Sequence, residues 1–136
     1  IAMGFGELYS ALQTGVVDGA ENNEPSYFTQ NHYTVANVYS YTGHLSIPEI
    51  LVFSKPAWDK LAKEDQELIR KLAREAQMEQ RTLWDQSVAD ATAKLKAAKV
   101  TFVEVDKKPF IEATAPVREK YGAPYADLVK RVQAVE

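Results

Sequence analysis

Five polar residues, Asp18, Glu21, Asn22, Asn23 and Glu24, fall within seven positions of "ALQTGVVDGAENNEPSY", residues 11–27. Three kinds of chemistry use such a cluster. Asp18 with Glu21, or Glu21 with Glu24, form carboxylate pairs of the kind that divide general acid and base work. Pairs this close in sequence are common on any surface, and acid–base work also needs surroundings that separate the two pKa values. His32 and His44 together with Asp18 or Glu21 carry metal-ligating atoms, but no HExxH or comparable spacing joins them. The third use is binding without turnover. An asparagine amide offers both donors and an acceptor, so Asn22 can hold a carboxylate or a hydroxyl without adding charge. Nearby aromatic residues such as Phe5 and Tyr9 can cover an apolar ligand face, although from sequence alone core packing is the better account of both. Asn23 stands where the N-cap of a helix beginning near Pro25 would stand. His44, taken alone, reads as an ordinary core or loop histidine.

Other catalytic signatures are missing. The chain has no Gly-x-Ser-x-Gly elbow, no GxxxxGK[ST] loop and no GxGxxG, and Gly4 and Gly6 precede a helix without a third glycine. The absence of cysteine excludes disulfides, thiolate metal sites and cysteine nucleophiles. A net charge of −3 argues against nucleic acid as a partner, because phosphate binding needs a basic surplus or stripe. No apolar run is long enough to span a bilayer. With 136 residues, 46% hydrophobic and 26% charged, the composition is that of a soluble globular protein with one ordinary core. The start, "IAMGFGELYS", lacks an initiating Met and a signal-peptide pattern, and reads as the inside of an element. The expectation is a piece of a longer protein.

The elements that must position the polar cluster follow from periodicity and punctuation. Residues 7–14 read as a short helix with Leu8, Ala11 and Leu12 on one face and Gly15 as its stop. Val16 and Val17 read as a short strand that enters a turn at Asp18-Gly19. Residues 26–36 read as a second short helix rich in aromatics. Residues 38–44 and 48–54 read as strands, the second nearly continuous in apolar residues and so buried on both faces. A helical turn follows Ser54 through Trp58 and Leu61, with Pro56 near its start. From about residue 64 to 98 the chain has no Gly and no Pro. Ile69, Leu72, Ala73, Ala76, Leu83, Trp84, Val88, Ala91 and Leu95 keep helical spacing there. At 1.5 Å per residue that helix reaches roughly 50 Å, longer than an ordinary domain is wide, so it bends or crosses between two bodies. Residues 100–105 read as a strand, and 108–121 and 125–135 as closing helices. Alternating helix and strand point to an α/β fold with at least partly parallel strands.

With these elements placed, "GFGELYSALQTGVVDGAENN", "HYTVANVYSYTGH" and "PEILVFSKPAWDKLAKEDQELI" resemble the extracytoplasmic solute-binding subunits of tripartite ATP-independent periplasmic (TRAP) transporters, the DctP-like family. The resemblance covers essentially the whole chain. It implies the C-terminal part of a two-lobed α/β binding protein of the periplasmic type II, flytrap kind, with a long helix crossing both lobes. About 1–47 and 88–136 then belong mainly to one lobe, and about 48–87 contribute to the other. It implies that Asn22 hydrogen-bonds the ligand carboxylate and Phe5 packs on the ligand. His44 occupies a pocket position after the second strand, and Glu21 and Asn23 flank the site. The family's ligand-binding arginine is implied upstream of Ile1. Where family members often carry Gln after "VDG", this chain has Ala20, and a position that often carries a capping Ser or Thr holds Ala62. The "GAENN" variant is most similar to members taking sugar acids such as uronates, with C4-dicarboxylates as the alternative.

The function so implied is capture of a carboxylate-bearing small molecule in the periplasm and its delivery to TRAP membrane subunits, by a monomer, with no cofactor, no metal and no catalysis. The alternatives are a ligand-sensing domain of the same fold and an enzyme using Asp18 and Glu21. Asp18 and Glu21 are expected to fix the turn by hydrogen bonds, because a bare carboxylate facing another costs affinity. If the other part of the protein supplies one lobe's sheet, Leu51 and Phe53 should be left partly uncovered.

Overall fold

A computed structural model describes residues 1–45, 47 and 49–135. The described backbone separates into two compact units. One comprises Ile1–Tyr39 and Gly43–Val103, the other Ser40–Thr42 and Glu104–Glu136.

The first unit holds every residue the sequence nominates for the site. A 3-10 turn at Phe5–Glu7 leads into α1, Leu8–Thr14. Gly15 ends α1 with φ 73°, a left-handed conformation that glycine adopts at little cost. The next residues are not a strand. The N–H groups of Val16 and Val17 both donate to the Ala11 carbonyl, at 2.9 and 3.3 Å, so the backbone wraps the end of α1 instead of extending. Helix α2 spans Glu24–Thr29, with Asn23 as N-cap and Pro25 in its first turn, where its missing N–H costs nothing. The predicted continuation to residue 36 is broken at Asn31, which takes φ 58° and opens a separate 3-10 turn at His32–Thr34.

Strands β1, Val38–Tyr41, and β2, Thr101–Glu104, pair into a two-stranded sheet. Between them lie α3, Lys55–Trp58, and the dominant element α4, Lys63–Ala97, 35 residues long. The Gln66 amide locks the α3–α4 connection by donating to the Trp58 and Leu61 carbonyls at 2.9 and 3.2 Å. Ala62 sits at the N-cap of α4 and offers no side-chain acceptor. At the other end Lys99 takes φ 61°, and the Val100 N–H closes back on the Leu95 carbonyl at 3.1 Å.

The predicted strand at 48–54 is not formed. Pro48 lies outside the described residues, and residues 49–54 have no regular structure. Leu51 and Val52 are 83% and 78% exposed. A strand is completed only by a hydrogen-bonded neighbour, and nothing among the described residues pairs with this segment. Among the described residues, two strands of four residues therefore make up the sheet, less than the alternation of elements predicts.

The core is small. Tyr27, Leu95 and Val100 are buried together, with Phe28, Tyr33, Tyr39 and Phe102 packed around them. The accessible surface totals 11418 Å². A self-contained monomer of 15.2 kDa exposes about 7,100 Å². Apolar side chains of α4 contribute to the excess: Leu68, Leu72, Met78 and Leu83 are all more than half exposed.

The second unit is mainly helical among its described residues. It contains α5, Lys108–Ala113, α6, Ala115–Gly122, a 3-10 turn at Ala123–Tyr125, and α7, Ala126–Gln133. The sequence pattern merges the first two into one helix. Pro116 explains the break, because it lacks an N–H and its ring clashes with the preceding turn. The Thr114 hydroxyl reinforces the last turn of α5, donating to the Phe110 carbonyl at 2.8 Å with a longer contact to Ile111 at 3.3 Å.

Candidate functional site

Residues 18–23 form an irregular segment between α1 and α2. Asn22 is half-buried and held by hydrogen bonds at two points. Its side-chain oxygen accepts the Asn23 N–H at 2.9 Å, and its backbone carbonyl accepts the Tyr39 hydroxyl at 2.8 Å. An N–H can only donate, so the first contact fixes which end of the amide is the oxygen. The Asn22 amide nitrogen is left as the group able to meet an incoming acceptor. That polarity suits a carboxylate or a hydroxyl oxygen.

Asn23 is committed to structure. Its side chain accepts the Ser26 N–H at 2.9 Å and so caps α2. Glu21 and Asp18 are exposed and make no hydrogen bond or ion pair among the described residues. The expectation that they fix the turn by hydrogen bonds is therefore corrected. The turn is held by Asn22, by Asn23 and by the wrap of Val16 and Val17 onto α1.

Phe5 is 54% exposed and stands edge-on to His32, with ring centroids 5.8 Å apart and planes at 76°. That geometry sets the positive edge of one ring against the other's face, a favoured aromatic arrangement. His32 is 4% exposed, and burial holds its imidazole below the ordinary histidine pKa. Its burial was not foreseen from sequence, where a lone histidine in a polar stretch gives no signal. Tyr9 is tied to the same 3-10 turn through a 3.2 Å contact between its hydroxyl and that of Thr34. His44 follows Gly43, which has φ 54°, three residues past β1, and is exposed.

The structure thus ties Asn22 to Asn23 and to β1, and Phe5 to the turn after α2. An open groove of about 320 Å³ beside α2 is lined by Pro25, Phe28, Leu83, Asp90 and Lys94 among others. None of Phe5, Glu21, Asn22, Asn23 or His44 lines it. Among the described residues, no group of three or more His, Asp or Glu side chains is placed to hold a metal, so His32 and His44 gain no support as ligands.

Comparison with known proteins shows the family. Residues 1–123 match the family described as bacterial extracellular solute-binding protein, family 7 (DctP). A TRAP periplasmic solute-binding protein from Pseudomonas putida F1, solved with bound D-glucuronate, is 60% identical with a TM-score of 0.92, over 100% of this chain and 44% of that one. One from Citrobacter koseri, also with D-glucuronate, is 48% identical at TM-score 0.91, over 100% and 45%. A curated solute-binding protein of Chromohalobacter salexigens is 41% identical over 98% of this chain and 40% of its own length. The chain spans less than half the length of these relatives, and its fold is that of part of a two-lobed periplasmic binding protein. The chain belongs to the bacterial extracellular solute-binding protein family 7, the DctP family of TRAP solute-binding proteins.

Proposed function

We propose that this chain is part of a periplasmic protein that captures a uronate, or a closely related sugar acid, and delivers it to TRAP membrane subunits without transforming it. The observation that carries the reading is the pair of relatives, 60% and 48% identical across the whole chain, that hold D-glucuronate. A further relative from a Bradyrhizobium, 43% identical, holds D-galacturonate. C4-dicarboxylates are the second class to be tested.

In this reading the Asn22 amide donates to the ligand carboxylate, and the exposed face of Phe5 covers the apolar side of the sugar ring. His44 contributes from the segment after β1, while Glu21 meets hydroxyls and Asn23 supports the segment as the α2 cap. The cation opposite the ligand carboxylate comes from the part of the protein outside this chain. Residues about 1–47 and 88–136 form mainly one lobe and about 48–87 join the other, with α4 running between them. The protein acts as a monomer. Closure follows from tighter ligand contacts in the closed state than in the open one.

The test is thermal shift and calorimetry on the intact protein that carries this chain, against uronates, aldonates, C4-dicarboxylates and 2-oxo acids. A ligand at a hundred times its dissociation constant adds about 2.7 kcal/mol. Stabilisation by glucuronate or galacturonate, unchanged sugar acid recovered after incubation, and weakened binding in Asn22→Ala are expected. A cooperatively melting protein that no acid stabilises would overturn the reading.

A further inference from the structure

The irregular segment that presents Asn22 lacks an obvious scaffold. Among the described residues, no backbone group from 18 to 22 bonds to another backbone group. Such a segment keeps one conformation only if something outside it holds it. Apart from its neighbour Asn23, the hold on Asn22 among the described residues is one phenol. The Tyr39 hydroxyl donates to the Asn22 carbonyl at 2.8 Å across 17 residues of sequence.

Tyr39 is itself a fixed point. It lies on β1 at a half-buried position of the strand's alternation, with Val38 and Ser40 facing outward. Its ring sits 5.2 Å from that of Tyr27 and 5.7 Å from that of Phe102. Tyr27 is 6% exposed and belongs to the central core with Leu95 and Val100. The phenol oxygen is thus carried on a packed aromatic cluster and reaches from it to the backbone of the site.

We propose that Tyr39 is the positioning residue for Asn22, fixing through the Asn22 carbonyl where the Asn22 amide meets ligand. The inference rests on the proposed role of Asn22 as a ligand contact. The two hydrogen bonds at Asn22 divide the task. Tyr39 places the backbone of the residue, and the Asn23 N–H then turns the side chain so that its nitrogen is the exposed donor. Losing the phenol leaves the Asn22 main chain free to rotate, which moves the amide even though no ligand-contacting atom has been removed. Geometry errors on the order of 1 Å are enough to degrade a site of this kind.

Tyr39→Phe is the direct test, because it deletes one oxygen and keeps the ring packing. In the intact protein, calorimetry with D-glucuronate should show affinity reduced about tenfold, with the aromatic core intact by near-ultraviolet circular dichroism. In an Asn22→Ala background the same change should have almost no further effect, the coupling expected of residues acting as a unit. Equal affinity in Tyr39→Phe, or an undiminished loss in the Asn22→Ala background, would overturn the inference. A readout without ligand separates this from failure of the functional reading. The Asn22 side-chain amide cross-peak, assigned by its loss in Asn22→Ala, should shift and broaden in Tyr39→Phe. If the wild type binds no acid yet that peak responds, Tyr39 still positions Asn22 and only the assigned ligand is wrong. A peak that does not move overturns the positioning role whatever the ligand.

Discussion

The two ends of α4 share one apolar spacing and have different surroundings. Near the C-terminal end, Ala91 and Leu95 are 4% and 0% exposed, packed where α2 and its aromatics meet the helix. Toward the N-terminal end, Leu68 and Leu72 are 52% and 51% exposed. The pattern along a helix therefore reports a face meant for burial, and burial itself requires a partner. The C-terminal end finds its partner within the chain. The N-terminal end carries the same face bare, as does the segment of Leu51 and Val52.

The largest test of this contrast is a pair of truncations. Leu95→Ala removes a fully buried side chain and should cost about 3–5 kcal/mol in urea unfolding of the intact protein. Leu72→Ala should cost about 2 kcal/mol or more there if another part of the protein covers it, and close to nothing in the isolated 136-residue chain. The isolated chain should also bind a fluorescent apolar dye. Equal costs for Leu72→Ala in the two settings, or a sharply melting chain that binds no dye, would break the contrast.

The same contrast explains what was legible in the sequence. Helix α4 was expected over about 64–98 and runs over Lys63–Ala97, because periodicity sustained across many turns is a signal local to the chain. The Gly15 stop, the Asn23 cap, β1 and β2 were legible for the same reason: each is settled by a few neighbouring residues. The strands expected at 16–17 and 48–54 were not, because β-branched runs announce burial but a strand exists only with a neighbour. At 16–17 the helix end captured the backbone; at 49–54 no neighbour is present among the described residues. For the candidate site, Phe5 and Asn22 could be nominated from their types and place in the sequence, but the contacts that support them could not. Tyr39 reaches Asn22, and His32 reaches Phe5, through contacts 17 and 27 residues apart that no spacing rule encodes.

Two smaller predictions use the helix ends themselves. At the C-terminal end Lys99 holds φ 61°, a conformation that costs a side chain about 1 kcal/mol or more and glycine little. Lys99→Gly should raise stability by about 1 kcal/mol, offset in part by loss of a cation near the negative end of the dipole. At the N-terminal end Ala62 leaves the first turn without a side-chain acceptor. Ala62→Asp should add about 0.5–1 kcal/mol and leave sugar-acid affinity unchanged. Thermal melts of both variants check these signs, and a loss at either end would mean that its backbone is held by something other than the helix terminus.

The smallest effect comes from pH and should act on the buried end alone. His32 opens the 3-10 turn that follows α2, the helix against which the C-terminal end of α4 packs. Burial keeps its imidazole below the ordinary pKa of 6.5, so the folded state disfavours the proton and the unfolded state does not. Above about pH 6.5 both states are neutral at this position and it adds no pH dependence. As pH falls below that value the unfolded chain takes up the proton first, and stability is lost until the folded pKa is passed. His32→Gln removes that proton uptake while keeping a polar side chain. Wild type should therefore lose more stability than His32→Gln between pH 7.5 and pH 5.5. Amide exchange should locate the loosening around Ala91 and Leu95 and leave Leu68 and Leu72 alone. Identical pH profiles for the two proteins would show that the turn opens to water too readily for burial to hold the imidazole neutral.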